Sequence, residues 1–502
     1  MTARSKAAPS EGTDLSTPPP RSRPWTAKTD TVASMRTDRR SLSYASVLLL
    51  VLAVTLIGVR PVIAADRSDN AADEPAIGTL AIPNDYEGRD GWTDSPSGEN
   101  WHHELIGLPE AWDISTGTDD LVLTVIDHDI QPAHPDLVPN HRATNRLAEG
   151  LSSGASHGTA VAGIACAQGN DALGISGTAW DCGLRLWDIR TSANPPTPGD
   201  ASADTAATIS ATDMVLAMDD AVDKGSSVVN LSLGGPEGDG CDVEPSPTAE
   251  GEAEALADRF REPIERGRAR AAAGELGADI VWVFAAGNGC KDVAFSAPAR
   301  LATEFDNVLA VTAVNSDGSL APFANFGDGV SVAAGGGFDL SSLPENPTPE
   351  EAVKAWRGGV FTTAARTVCK AVETVTCDEE YGYRGYAGTS MAAPAVSGVA
   401  VLVRTAHPEL TAAATVRCIT ESAHRVGPQV TAVPSSWFEA ARAVGWPSVK
   451  RYSDSDLDGL HIVDAPAAVA CDFPTDEIEL LSQPSFDSSL DDFLFAPPAV
   501  FD

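Results

Sequence analysis

The sequence predicts an α/β fold, a mainly parallel sheet flanked by helices. Two observations carry this prediction. Several apolar runs rich in β-branched residues lack the alternation of a half-exposed strand, which is how strands buried on both faces read. Between them lie stretches of helical composition closed by glycines, the βαβ rhythm of a parallel sheet.

In chain order, Leu121–Ile126 (LVLTVI) is the first such strand. A helix over Asp213–Lys224 stops at Gly225, and Ser227–Leu231 (SVVNL) follows as a strand. Glu252–Leu276, rich in Ala, Glu and Arg, predicts a second helix ended by Gly277. Asp279–Ala285 (DIVWVFA) and Val308–Val314 (VLAVTAV) are further buried strands. From Ser390 the run SMAAPAVSGVAVLVRTA predicts a long buried helix, with Pro394 in the first turn where a missing N–H costs least. Asp464–Ala470 closes the domain.

The chain has 502 residues, 43% hydrophobic and 21% charged, enough for one large domain with appendages. Its net charge of −37 is extreme. Residues 1–64 are net +5, so the remainder carries −42, which disfavours nucleic-acid and anionic-membrane binding and suits calcium or high salt. The positive end has its own explanation. The apolar run 45–59 follows Arg36, Arg39 and Arg40 and precedes Val62-Ile63-Ala64-Ala65, the order of a secretory signal peptide. Residues 1–65 are therefore expected as a disordered extension plus signal, giving a secreted or periplasmic (extracytoplasmic) protein. An uncleaved membrane anchor is the minor alternative, the run being short for a span. Residues 66–84 are expected as a flexible leader, 85–471 as the domain, and 472–502, with eight Asp/Glu and no Lys or Arg, as a disordered acidic tail. Stretches about 236–251 and 335–383 are expected as surface insertions. All eight cysteines lie beyond the signal. Disulfides are expected in such a compartment, with 166/182, 241/290, 369/377 and 418/471 as one pairing among many.

Acyl-transfer hydrolysis needs a nucleophile, a base, a group orienting the base and donors for an oxyanion. Ser390, in Gly388-Thr389-Ser390-Met391-Ala392, opens a helix where free N–H groups favour negative charge. His157 heads the small-residue helix HGTAVAG. Asp127 ends the strand LVLTVI, at the sheet edge where open α/β folds place their sites. Asn288, in Ala285-Ala286-Gly287-Asn288-Gly289, also follows a strand and carries a side-chain amide. Each has a plain structural role when taken alone: a helix cap, a packed histidine, a strand end, a turn. All four together, in this order on matching strand ends and helix starts, point to one site.

These motifs resemble the subtilisin (subtilase) family of serine peptidases, over about Asn84 to Cys471. Val125-Ile126-Asp127 with His134-Pro135-Asp136-Leu137 downstream resembles the family's Asp motif. His157–Gly163 followed by Gly174-Ile175-Ser176-Gly177-Thr178-Ala179 resembles its His motif, and Gly388–Pro394 (GTSMAAP) its Ser motif. The segment Trp101–Gly117 resembles the family's approach to the first catalytic strand. The resemblance implies a subtilisin-like three-layer sandwich and an exported serine endopeptidase needing no cofactor for catalysis. By it, Ser390 is the nucleophile, His157 the general base and acid, Asp127 the orienting carboxylate, and Asn288 with the Ser390 N–H the oxyanion site. Protein or peptide substrates would lie extended along Ser232, Leu233 and Gly234, with Ala285, Ala286 and Gly287 walling the primary pocket. The resemblance also implies a structural calcium at Asp136 and Asn170. Separately, Asp454, Asp456 and Asp458 occupy the opening positions of an EF-hand-like loop, whose twelfth residue is Ala465 instead of Glu.

Four residues depart from the family pattern. The catalytic Asp is followed by His128-Asp129 instead of Thr or Ser and then Gly, so a hydroxyl partner is lost and a second carboxylate is added. If Asp129 faced the site, like-charge repulsion would loosen the hold of Asp127 on His157. Ala395 and Trp180 replace a usual His and Pro. The leader between Ala65 and Trp101 is short for a folding-assistant prodomain. The alternative function is a non-catalytic, subtilase-like peptide-binding protein. An α/β-hydrolase esterase is excluded, because Ser390 lacks the Gly-x-Ser-x-Gly setting and the order Asp, His, Ser differs.

Overall fold

The computed structural model describes residues 82–86, 100–146, 156–189, 209–235, 241, 245–274, 279–340, 343–344, 347–348, 351, 359–364, 382–435, 450 and 452–472. Seven strands form one parallel sheet: β1 (Gly117–Asp127), β2 (His141–Arg146), β3 (Asp181–Asp188), β4 (Val228–Leu231), β5 (Val281–Ala285), β6 (Val308–Val314) and β7 (Val332–Gly335). Their order is β2-β3-β1-β4-β5-β6-β7. An antiparallel pair, β8 (Val360–Ala364) and β9 (Gly382–Tyr386), lies outside this sheet.

Half of the sheet is buried throughout: β4, β5, β6 and the edge strand β7 expose no residue. That requires cover on both faces, and the helices supply it. On one face lie α1 (His157–Cys166) and α4 (Thr389–Ala406), which pack on each other, with α4 crossing β1, β4, β5, β6 and β7. Every residue of α4 from Thr389 to Arg404 is buried; it is long and apolar enough to cross a membrane, yet here it is the core helix. Helix α5 (Ala412–Val426) and the short α6 (Ala465–Ala470) pack behind it. The opposite face is covered by α2 (Ala211–Asp223) and α3 (Ala249–Ala272), which pack on each other. A single apolar cluster runs through all three layers, with Trp282, Phe260, Phe284, Leu123 and Ile126 among its largest buried side chains.

The expected elements are present with shifted ends. Strand β1 begins at Gly117, earlier than the apolar run, because Thr118 and Cys182 keep the pairing with β3 through a bulge. Helix α3 ends near Gly274, in the left-handed region at φ 73°, instead of at Gly277. The stretch 335–383 is described in part. Its described parts include β7's last residue, Gly336–Phe338 and β8, all largely buried, and the Thr362 and Thr363 hydroxyls donate to the carbonyls of Ala160 (3.0 Å) and Thr159 (2.7 Å) on α1. Segments 1–65, most of 66–84 and nearly all of 472–502 lie outside the described residues. Disulfides join Cys166–Cys182, Cys241–Cys290 and Cys418–Cys471; Cys369 and Cys377 lie outside the described residues.

Candidate active site

The parallel register brings the C-terminal ends of β1, β4 and β5 to one edge: Ile126 pairs with Leu231, and Leu231 with Phe284. Asp127, Ser232 and Ala285 therefore emerge side by side. Asp127 is fully buried, and its Oδ1 accepts from the His128 backbone N–H (2.7 Å) and from His157 Nδ1 (2.7 Å). A bond at Nδ1 fixes the ring so that Nε2 is the nitrogen offered to the cleft. The approach of α1 to β1 depends on Gly158. Its N–H donates to the His128 carbonyl (2.8 Å), and a Cβ there would sit 2.5 Å from Ile130 Cγ1 and 2.9 Å from Asp127 Cβ.

Ser390 stands at the second residue of α4. The turn before it uses Gly388 at φ 151°, a conformation favouring glycine. The Ser390 hydroxyl donates to the Ser232 carbonyl (3.1 Å), and the Ser232 hydroxyl donates to the Ser390 carbonyl (3.0 Å). The Asn288 carboxamide oxygen accepts from the Thr389 backbone N–H (2.9 Å) and hydroxyl (3.0 Å). A backbone N–H can only meet the oxygen end, so this contact sets the amide's orientation and makes its N–H groups the part presented to the cleft. His157, Ser232, Leu233, Gly234, Gly235, Ala285, Gly287, Asn288, Thr389 and Ser390 line a cleft of about 300 Å³.

Of the residues singled out in the sequence, the structure brings Asp127, His157, Ser390, Asn288, Ser232, Leu233, Gly234, Ala285 and Gly287 together. Ala286 is buried behind the wall, its N–H bonded to the Val311 carbonyl. Thr389 was missed, although it lies inside the quoted Ser motif.

Asp129 has a hydrogen-bond partner beside it. Asp129, at φ 56°, turns its Oδ2 to His128 Nδ1 (2.8 Å). The His128 ring in turn lies parallel to the His157 ring, with centroids 5.0 Å apart and planes 9° apart. Two His–Asp couples thus stack at the end of β1. The lost hydroxyl does leave a mark: Asp127 Oδ2 is buried with no hydrogen-bond partner among the described residues. Trp180 packs against Trp112 (ring centroids 4.8 Å apart), and Ala395 is buried within α4.

Two of the expected calcium ligands, Asp136 and Asn170, meet partners from the chain itself. Asp136 Oδ1 accepts the Tyr383 hydroxyl (2.8 Å) and Oδ2 the Ile175 N–H (3.0 Å), while Asn170 Oδ1 accepts the Asn84 N–H (3.4 Å). Asp454, Asp456 and Asp458 lie in and just after one short helical turn. Asp454–Leu457 is a helical turn in which Asp456 folds back on the Ser453 N–H (2.7 Å) and approaches Lys450 (3.4 Å). Among the described residues, a three-member group of carboxylate and imidazole donors gathered within 4.8 Å is formed by Asp127, His128 and His157.

With the geometry in hand, the chain belongs to the subtilase family, whose sequence model matches residues 118–446. Its sheet and flanking helices are those of a subtilisin-like fold. The chain is 32% identical over 337 residues to mycosin-3 of Mycobacterium tuberculosis, covering 64% of this chain and 66% of that protein. It is 28% identical over 289 residues to an extracellular protease of Xanthomonas campestris pv. campestris, covering 57% of this chain and 39% of that protein. The solved MycP3 protease from the type VII (ESX-3) secretion system is 25% identical, with a TM-score of 0.45 over 75% of this chain and 90% of that one. The chain thus spans 39% and 66% of the lengths of these two relatives.

Proposed function

We propose that the protein is an exported serine endopeptidase that hydrolyses peptide bonds in proteins through an acyl-enzyme intermediate. The observation that carries this reading is the Asp127–His157 couple facing Ser390 across one cleft, with the Asn288 amide on its wall. In the mechanism, Ser390 Oγ leaves its resting bond to the Ser232 carbonyl and attacks the substrate carbonyl while His157 Nε2 takes its proton. Asp127 stabilises the resulting imidazolium. The Asn288 amide and the Ser390 N–H, at the positive end of α4, take the oxyanion. His157 then returns the proton to the leaving amine as the C–N bond breaks, and a water molecule repeats the sequence on the ester. Substrate would lie extended beside Ser232–Gly234, which favours unfolded or loop segments.

The signal-like run before residue 65 and the disulfides among the described residues support export to an oxidising compartment. The test is fluorophosphonate labelling of folded, full-length protein beside Ser390→Ala, followed by digestion of a peptide library. Label that depends on Ser390 is expected; folded wild-type protein that takes none overturns the reading.

A further inference from the structure

We infer that the loop over residues 168–176 is organised by the carboxylate of Asp85 in place of a calcium ion, which makes residues 84–86 an integral part of the catalytic domain.

A calcium loop turns oxygen atoms inward, six to eight of them at about 2.3–2.6 Å. This loop turns N–H groups inward. Asn170 N–H donates to Asp85 Oδ2 at 2.7 Å, and the Asp171 and Ala172 N–H groups donate to Oδ1 at 2.8 and 3.0 Å. The Ser176 hydroxyl also donates to Oδ2. Asn170 and Ala172 adopt left-handed backbone at φ 61° and 62°, which aims successive N–H groups at one point. Such a nest is a concavity of positive potential that takes an anion. A cation at its centre would meet donors where it needs acceptors. The loop's polarity is therefore the reverse of a calcium site.

The other expected ligand is engaged from a second direction. Tyr383, on β9, donates to Asp136 and fills the space beside Gly174, where any Cβ would collide with the phenol and the carboxylate. Tyr383 is held in turn between Phe361 (stacked, 6.1 Å) and His134 (edge-on, 5.3 Å). Asp85 itself is only 6% exposed. The loop is thus pinned by Asp85 on one side and Tyr383 on the other, both groups belonging to the chain.

This inference does not depend on Ser390 being a nucleophile, and none of its readouts is turnover. Thermal unfolding of the full chain is expected to give the same midpoint in EDTA and in millimolar calcium chloride. Asp85→Ala is expected to lower the midpoint by about 2–5 °C, the scale of lost charge-assisted hydrogen bonds in a domain of this size, with no recovery on adding calcium. Asp85→Asn, which keeps an acceptor oxygen but not the charge, is expected to fall between. Hydrogen exchange at the amides of residues 170–172 is expected to be slow in the wild type and at least roughly tenfold faster in either variant. A calcium-dependent rise of the wild-type midpoint overturns the inference. So do amides at 170–172 that exchange rapidly in the wild type, a result that needs no variant to fold.

Discussion

Ser232 and Ser390 are bonded to each other twice, each hydroxyl donating to the other's main-chain carbonyl, at 3.0 and 3.1 Å. The pair joins the residue just past β4 to the second residue of α4, 158 positions later. It is backed by a relay in which Ser397 donates to Asn230 (3.0 Å) and Asn230 donates to the Ser232 hydroxyl (3.0 Å). Two elements that meet only through folding are thereby fixed at the point where the Ser390 hydroxyl sits.

Ser232→Ala removes one of these bonds and strands the Asn230 amide, while the carbonyl that holds the Ser390 hydroxyl remains. The expected result is a fall of about 5–20-fold in the rate of fluorophosphonate labelling, matching about 1–2 kcal/mol for a buried hydrogen bond and its neighbour. Stopped-time labelling against a matched circular-dichroism melt checks it, and the fold is expected to persist.

Asn288→Ala is expected to lower kcat by about 10²–10³ with KM little changed, because the oxyanion forms only after binding. Thr389→Val keeps the Asn288 amide but removes the hydroxyl contact to its oxygen. A milder loss of about tenfold is expected there, since the Thr389 N–H still restrains the amide. Peptide-hydrolysis kinetics on both variants separate the two.

The His128 ring gives His157 a flat wall parallel to its own plane. His128→Phe retains a stacked ring and is expected to keep kcat within about threefold of wild type. His128→Ala removes it and is expected to lose about 3–10-fold, the range of one aromatic contact. Because the backbone N–H of residue 128 still bonds Asp127 in both, equal losses in the two variants would rule out stacking as the cause.

His134 is held neutral. Its Nδ1 accepts the Asp136 N–H (3.3 Å) while Nε2 bonds the Gly382 carbonyl (3.2 Å), and burial lowers its pKa from 6.5 to about 4. For a base with a depressed folded pKa, the stability it contributes is present above 6.5 and is lost as pH falls through about 4. The integrated effect reaches about 3 kcal/mol. Asp136, raised to about 7, works in the opposite sense over a similar range, gaining relative stability as pH falls. The whole protein's curve therefore blends the two, and the difference between wild type and His134→Gln isolates the first. Denaturant melts from pH 7 to pH 4 are expected to show the wild type losing more stability than the variant.

The buried strands and the core helix were legible because a sheet covered on both faces writes itself as unbroken apolar runs. DIVWVFA and VLAVTAV leave little else to be. Strands β2 and β3 were not legible: HRATNR and DCGLRLWD carry charges, and they lie on the outer side of β1 in the sheet order, where partial exposure is tolerated. The geometry of Asp127, His157 and Ser390 followed from placing each at a strand end or helix start. What sequence could not show was direction. Asp129 sits two residues from Asp127 yet points to His128, because its backbone turns left-handed. Asp85 is as plain a carboxylate as any, and its importance comes entirely from residues more than eighty positions away.

The site's parts are far apart along the chain, from Asp127 at the end of β1 to Ser390 at the start of α4, with the six other strands of the sheet between them. A ribosome makes Asp127 and His157 long before Ser390, and Ser232 can lock to its partner only once both exist. On the function proposed above, the parts of the site can come together only when nearly the whole domain has been made.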